Sequence, residues 1–137
     1  MKEDEGTIDR PIGKSKKDFR QWSAQRGARG MMRSAVTNFK VIERGESDGE
    51  RVTLVAVMPE TGRTHQIRVH MKAINHPLVS DTLYAPKRPS VLGFTRTALH
   101  AVSLTVSDID GESISVQAPY SPDFESALKI IAQSKFA

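Results

Sequence analysis

The chain has 137 residues, 38% hydrophobic and 26% charged, which places it among globular single-domain chains. No run approaches the roughly 18 apolar residues of a membrane span, and the N-terminus lacks the apolar core of a signal peptide. There is no cysteine, which excludes disulfides and thiolate metal sites and fits a cytoplasmic protein, and a net charge of +4 favours a polyanionic partner such as nucleic acid.

The charge is uneven. From Arg10 to Arg33 eight basic residues face one acid, Asp18. Charge alone leaves two readings open, a surface for a polyanion such as nucleic acid or a solvated arm. Residues 1–33 read as an extended, loop-rich and loosely ordered basic N-terminal arm, with no helical stripe and no clean alternation. Residues 34–137 read as the folded portion.

Residues 35–44 place Val36, Phe39 and Val41 among polar neighbours and read as a strand. A turn cluster, "GESDGE" at 45–50, leads to a second strand at 51–59, so an antiparallel hairpin is expected. "ETG" at 60–62 breaks the chain. A helix is predicted from Arg63 to Asn75, with Ile67, Met71 and Ile74 as its apolar stripe and Pro77 soon after its end. Residues 76–90 form a proline-rich loop. Strands are predicted at 97–107 and 114–119, joined by the Asp-Gly turn of "DIDGES", with Leu99, Ala101 and Val102 to Val106 near a core. The last helix starts at Ser121 as N-cap, with Pro122 in its first position and Asp123 beside its positive end. Phe124, Leu128 and Ile131 form its buried stripe. The fold class is α+β: a mostly antiparallel sheet with two helices.

"TGRTHQIRVH" at 61–70 concentrates hydrogen-bonding groups where a strand feeds a helix. A helix start offers free N–H groups to an anion, and Arg63 and Arg68 offer planar forks suited to phosphate or carboxylate. The bland alternatives are a surface ion pair for Arg68 and satisfied interior or surface imidazoles for His65 and His70. The two histidines are five apart with no acidic third ligand, so no metal site is expected.

The stretch "ETGRTHQIRVHMKAINHPLVSDTLYAP" resembles the third motif of the RluA-type pseudouridine synthases (the RluC/RluD-like branch), including His76-Pro77-Leu78-Val79, Asp81 and Tyr84. "RPIGKSKKDF", "AVTNFKVIER", "ALHAVSLTV" and "APYSPDF" resemble family flanks, so the likeness runs from about Gly6 to Leu128. Ser80 stands where the family usually has glycine, and "YAP" where it usually has Tyr-Gly. The resemblance implies the C-terminal part of a catalytic domain that isomerises uridine to pseudouridine in RNA, ribosomal rather than transfer, with no cofactor and no metal. It implies that Arg68 positions a nucleophilic aspartate, that Arg63, Thr64, His65 and Gln66 shape the site or hold RNA, and that Lys14, Lys16, Lys17 and Arg20 contact phosphates. The family's "His-Arg-Leu-Asp" and its tyrosine motif do not occur in these residues. The chain is therefore expected to be inactive alone: a fragment, an RNA-binding remnant or one half of a split enzyme. An uncovered sheet edge would let it self-associate.

Overall fold

A computed structural model describes residues 1–134; the last three residues of the expected 34–137 portion lie outside the described ones. Its longest pairing joins β5 (Val36–Ser47) to β6 (Glu50–Pro59), antiparallel from Thr37↔Pro59 to Ser47↔Glu50. Asp48 and Gly49 make the turn with φ of 54° and 78°. Positive φ at both central residues is the type I′ geometry, whose twist matches that of the strands. The predicted hairpin is present, and its turn is tighter than the 45–50 cluster suggested. The register shifts between Val41 and Glu43, a bulge that leaves Ile42 exposed.

The first 33 residues are not a loosely ordered arm. β1 (Glu5–Asp9) pairs with the free edge of β5, Glu5↔Lys40 to Asp9↔Val36. β2 (Ile12–Lys14), β3 (Trp22–Ser23) and β4 (Arg29–Arg33) form a second antiparallel sheet in the order β3-β2-β4. Ile8 and Ile12 anchor the segment, 3% and 1% exposed. The boundary expected at residue 33 is crossed by β1, which belongs to the sheet of β5 and β6.

α1 (Gln66–Ala73) starts three residues later than predicted, because His65 adopts a left-handed φ of 55°. Its end is a Schellman motif. Asn75 takes φ 62°, Asn75 N–H donates to Lys72 O and His76 N–H donates to Met71 O. The predicted stripe packs as expected: Met71 is buried with Ile8 and Phe39, and Ile67 and Ile74 join it. The helix also buries a second flank, where Val69 meets Ile12, Ala35 and Tyr84.

α2 (Pro122–Gln133) buries Ala127 and Ile131 against Val52, Val91, Leu92 and Phe94, with Phe124 partly buried beside them. Ser121 is its N-cap in extended conformation, but its hydroxyl donates to Asp123 rather than capping a backbone N–H. The final strands are shorter than predicted. β7 (Ser103–Ser107) pairs with β8 (Ser113–Gln117), and every residue of both is exposed. Residues 97–102 stay out of the strand. Arg96 draws in the carbonyls of Thr97 and Leu99, and Ala98 N–H donates to Val79 O. The expected core placement of Leu99 and Val102 to Val106 is thus corrected. Leu104, Val106, Ile114 and Val116 face one way, as the pairs Leu104↔Val116 and Val106↔Ile114, and no described element covers them.

Candidate functional site

Asp81 organises the region around α1. It lies in the loop after α1, 1% exposed, and its carboxylate receives four N–H groups. Arg68 supplies two as a fork, Nε to Oδ2 at 2.8 Å and Nη2 to Oδ1 at 2.7 Å. The backbone N–H groups of Leu83 and Tyr84 supply the others. Burial alone would raise the Asp81 pKa; the fork and the two backbone donors outweigh it and hold the carboxyl below its ordinary value. The same fork raises Arg68. Sequence reasoning left Arg68 waiting for an aspartate; the structure gives it Asp81. The fork uses only one edge of the guanidinium, and among the described residues no hydrogen bond engages Nη1.

Tyr84 closes the other side. Its ring lies under the Arg68 guanidinium at 4.9 Å and within 5.7 Å of the Lys72 ammonium. Its hydroxyl accepts the Trp22 N–H at 3.0 Å and shares a 2.8 Å hydrogen bond with His65 Nδ1. Gln21 Nε2 donates to Leu83 O at 2.7 Å, so β3 and the Asp81 loop are bolted together. Burial first, and Arg68 second, push the His65 pKa down. Ser80, where the resemblance expected glycine, holds a left-handed φ of 56°, and its hydroxyl meets Ser90 and Phe94 O. Those bonds offset the strain of a side chain in that conformation.

Gln66 faces the interior. It is 4% exposed, and its amide is spent inside the protein. Its oxygen accepts Thr61 Oγ1 and Arg63 N–H, and its nitrogen donates to Val36 O and Thr37 Oγ1. Thr37 in turn meets His70 Nδ1 at 2.8 Å, and His70 Nε2 donates to Arg10 O at 2.8 Å. A carbonyl can only accept, so the proton sits on Nε2 and Nδ1 accepts from Thr37. His70 is the satisfied interior imidazole that sequence reasoning allowed. Burial lowers its pKa.

The remaining expected contacts divide. Thr64 is exposed at the start of α1. Arg63 spends Nε on Ser34 O at 3.0 Å. Lys14 is exposed on β2 with its ammonium 4.2 Å over the Trp22 ring. Lys16 and Lys17 are exposed on the β2–β3 loop, whereas Arg20 is committed to Asp18 by a fork of 3.0 and 2.7 Å. That fork holds the Asp18 pKa at about 2. Asp81, Tyr84 and Trp22 carried no role in the sequence reading; the signal was the "DTLY" spacing after the helix. Among the described residues, no group of three histidines or acids could hold a metal ion.

Fold and site together define an antiparallel α+β module that presents a carboxylate-anchored arginine beside a cationic sheet. The family model for RNA pseudouridylate synthase matches residues 1–73, and the chain belongs to that family. It is 43% identical over 121 residues to the uncharacterized RNA pseudouridine synthase YlyB of Bacillus subtilis, covering 88% of this chain and 37% of that one. It is 40% identical over 106 residues to the ribosomal large subunit pseudouridine synthase D of Haemophilus ducreyi, covering 69% and 31%. The solved structure of human RNA pseudouridylate synthase domain containing 1 superposes with a TM-score of 0.73 at 32% identity, over 88% of this chain and 50% of that one. The chain thus spans well under half the length of these curated relatives.

Proposed function

We propose that the chain is the C-terminal portion of the catalytic module of an RNA pseudouridine synthase, in which Arg68 positions a nucleophilic aspartate supplied from outside these residues. The observation that carries this reading is the half-used guanidinium. Asp81 fixes the Arg68 plane through one edge, and the other edge remains able to take a second carboxylate or a phosphate. The reaction is an isomerisation. The C1′–N1 bond of uridine breaks, C1′ bonds to C5, the C5 proton goes to solvent and N1 gains one. Reaching a uridine this way requires the base to leave its stack, which costs a few kcal/mol. The proposed substrate is ribosomal rather than transfer RNA, in the cytoplasm, held partly through Lys14, Lys16, Lys17, Arg63 and Thr64. A non-catalytic RNA-binding role is the second reading, for which the exposed Lys14, Lys16 and Lys17 suffice.

The test is release of tritium from RNA labelled at uridine C5, with the chain alone and with a polypeptide carrying the missing motifs. Release only in the second case, abolished by Arg68→Ala and not restored by Arg68→Lys, is the expected result. Turnover by the chain alone would place the nucleophile within it and overturn the assignment. RNA binding without turnover in either mixture would favour the second reading.

We further propose that two copies associate through the apolar hairpin face of β7 and β8. An isolated two-stranded sheet is marginal in water, and here Leu104, Val106, Ile114 and Val116 are all about half exposed or more.

A further inference from the structure

Phe19 is 86% exposed at the tip of the β2–β3 loop. A lone exposed apolar side chain is ordinary on a protein surface. Here the loop beneath it is closed on itself. Ser15 N–H donates to Gln21 O and Gln21 N–H to Asp18 O, both at 3.0 Å. Ser15 Oγ accepts the Lys17 and Asp18 N–H groups. Arg20 folds back onto Asp18 through both its backbone and its guanidinium. The root is tied by Gln21 to Leu83 O, two residues from Asp81. The aromatic ring is therefore presented outward by a pre-formed loop. The charge around it is also specific. Asp18 is cancelled by Arg20, and Lys16 and Lys17 stand exposed on the same loop, so its outer face is net positive. An exposed ring on a loop with two exposed lysines matches an unpaired nucleotide: phosphates to the lysines, the base to the ring.

We propose that Phe19 is a stacking platform for an unpaired RNA base close to the one delivered to the Arg68 site. This rests on the RNA reading above and adds the residue that would grip the strand beside the reacting uridine. A closed loop loses little freedom on binding, so most of the stacking energy appears as affinity.

The experiment measures binding of short single-stranded RNA by fluorescence anisotropy across a salt series, using the intact chain. Phe19→Ala should weaken binding about 5- to 100-fold at every salt concentration, the effect of losing one stacked base. Its slope of log affinity against log salt should not change, whereas Lys16→Ala with Lys17→Ala should flatten that slope by about 0.7 per lost phosphate contact. Phe19→Trp should retain the affinity, and Ile109→Ala, a fully exposed control in the turn between β7 and β8, should change nothing. On RNA with abasic positions the Phe19→Ala loss should vanish. If the unaltered chain binds RNA and Phe19→Ala matches it, the platform is wrong and the RNA reading survives. If the unaltered chain binds no RNA, both fail. If the loss persists on abasic RNA, Phe19 acts through the loop rather than a base, and the proposal is overturned.

Discussion

The Arg68 guanidinium and the Asp81 carboxylate lie edge to edge, joined by two hydrogen bonds of 2.8 and 2.7 Å across thirteen residues of sequence. Asp81 is sealed from solvent while Arg68 retains 20% side-chain exposure. Removing one partner therefore leaves a charge that its surroundings were built to oppose. Asp81→Asn turns an amide N–H toward the Arg68 donors and should cost about 1.5–3 kcal/mol, the range for a hydrogen bond to a charged group. Urea unfolding at pH 7 measures it. The pH dependence has a definite sign. The folded carboxyl titrates below its ordinary value of 3.8, so its contribution is present above that value and is lost as pH falls through the depressed one. The acid limb of the stability curve should be shallower in Asp81→Asn.

His70 behaves in the opposite chemical sense with the same direction in pH. Its folded pKa lies below the ordinary 6.5, so under acid the unfolded chain takes up a proton that the folded chain resists. Stability should fall as pH drops below that value, by at most about 1.4 kcal/mol per pH unit per histidine. His65 and His76 are shifted the same way and share the loss. His70→Gln should reduce the slope by one proton's share, read from unfolding midpoints between pH 8 and 5.

Thr37→Val should cost about 1–3 kcal/mol at pH 7. The methyl group leaves His70 Nδ1 without a buried partner, the expensive case for a polar network, and takes from Gln66 Nε2 one of its two acceptors, Val36 O remaining. Thr37→Ser keeps the hydroxyl and should recover most of it. Thermal unfolding separates the two.

Gly45 marks where β5 passes under α2. A Cβ there would stand 2.8 Å from Ser134 Oγ and 3.0 Å from Ile131 O. The serine hydroxyl can turn away, but the helix backbone cannot, so Gly45→Ala should destabilise by about 1–3 kcal/mol, the usual cost of overpacking. Chemical denaturation checks the value.

Sedimentation velocity tests association. The chain should dimerise as its concentration rises, and Leu104→Lys with Val106→Lys should leave it monomeric at all concentrations. A monomer in the unaltered chain at high concentration would remove the hairpin face as a contact surface.

The β5–β6 hairpin, α1 and α2 were legible because each carries a local signature: alternation, an i, i+4, i+7 stripe, or Ser-Pro-Asp at a helix start. The strands before residue 34 were not. β1 buries only Ile8, and β4 buries none of its residues, so neither leaves a periodic trace. The Asp-Gly turn of the last hairpin was read correctly, but the apolar face beside it was assigned to a core that the described residues do not provide. At the site, the resemblance drew attention to Arg68 and named Asp81 and Tyr84 without roles. Local chemistry allowed an acidic neighbour for Arg68 but could not choose one, because the fork depends on how the loop after α1 folds back. The interior placement of Gln66 was hidden for a related reason: its partners Val36 and Thr37 lie on β5, some thirty residues away in sequence.

Gln21 and Leu83, like Trp22 and Tyr84, are tied across 62 residues. The β5–β6 hairpin closes over a two-residue turn. Loop closure grows costlier with span, and contacts of high sequence separation form late. The hairpin should appear within microseconds of collapse, whereas the clasp between β3 and the Asp81 loop must wait for both halves of the chain to dock. Amide hydrogens of Trp22, Leu83 and Tyr84 would then exchange sooner than those of Val55 or Val57. The arginine site would be the last region to be assembled during folding and an early one to open in native-state fluctuations.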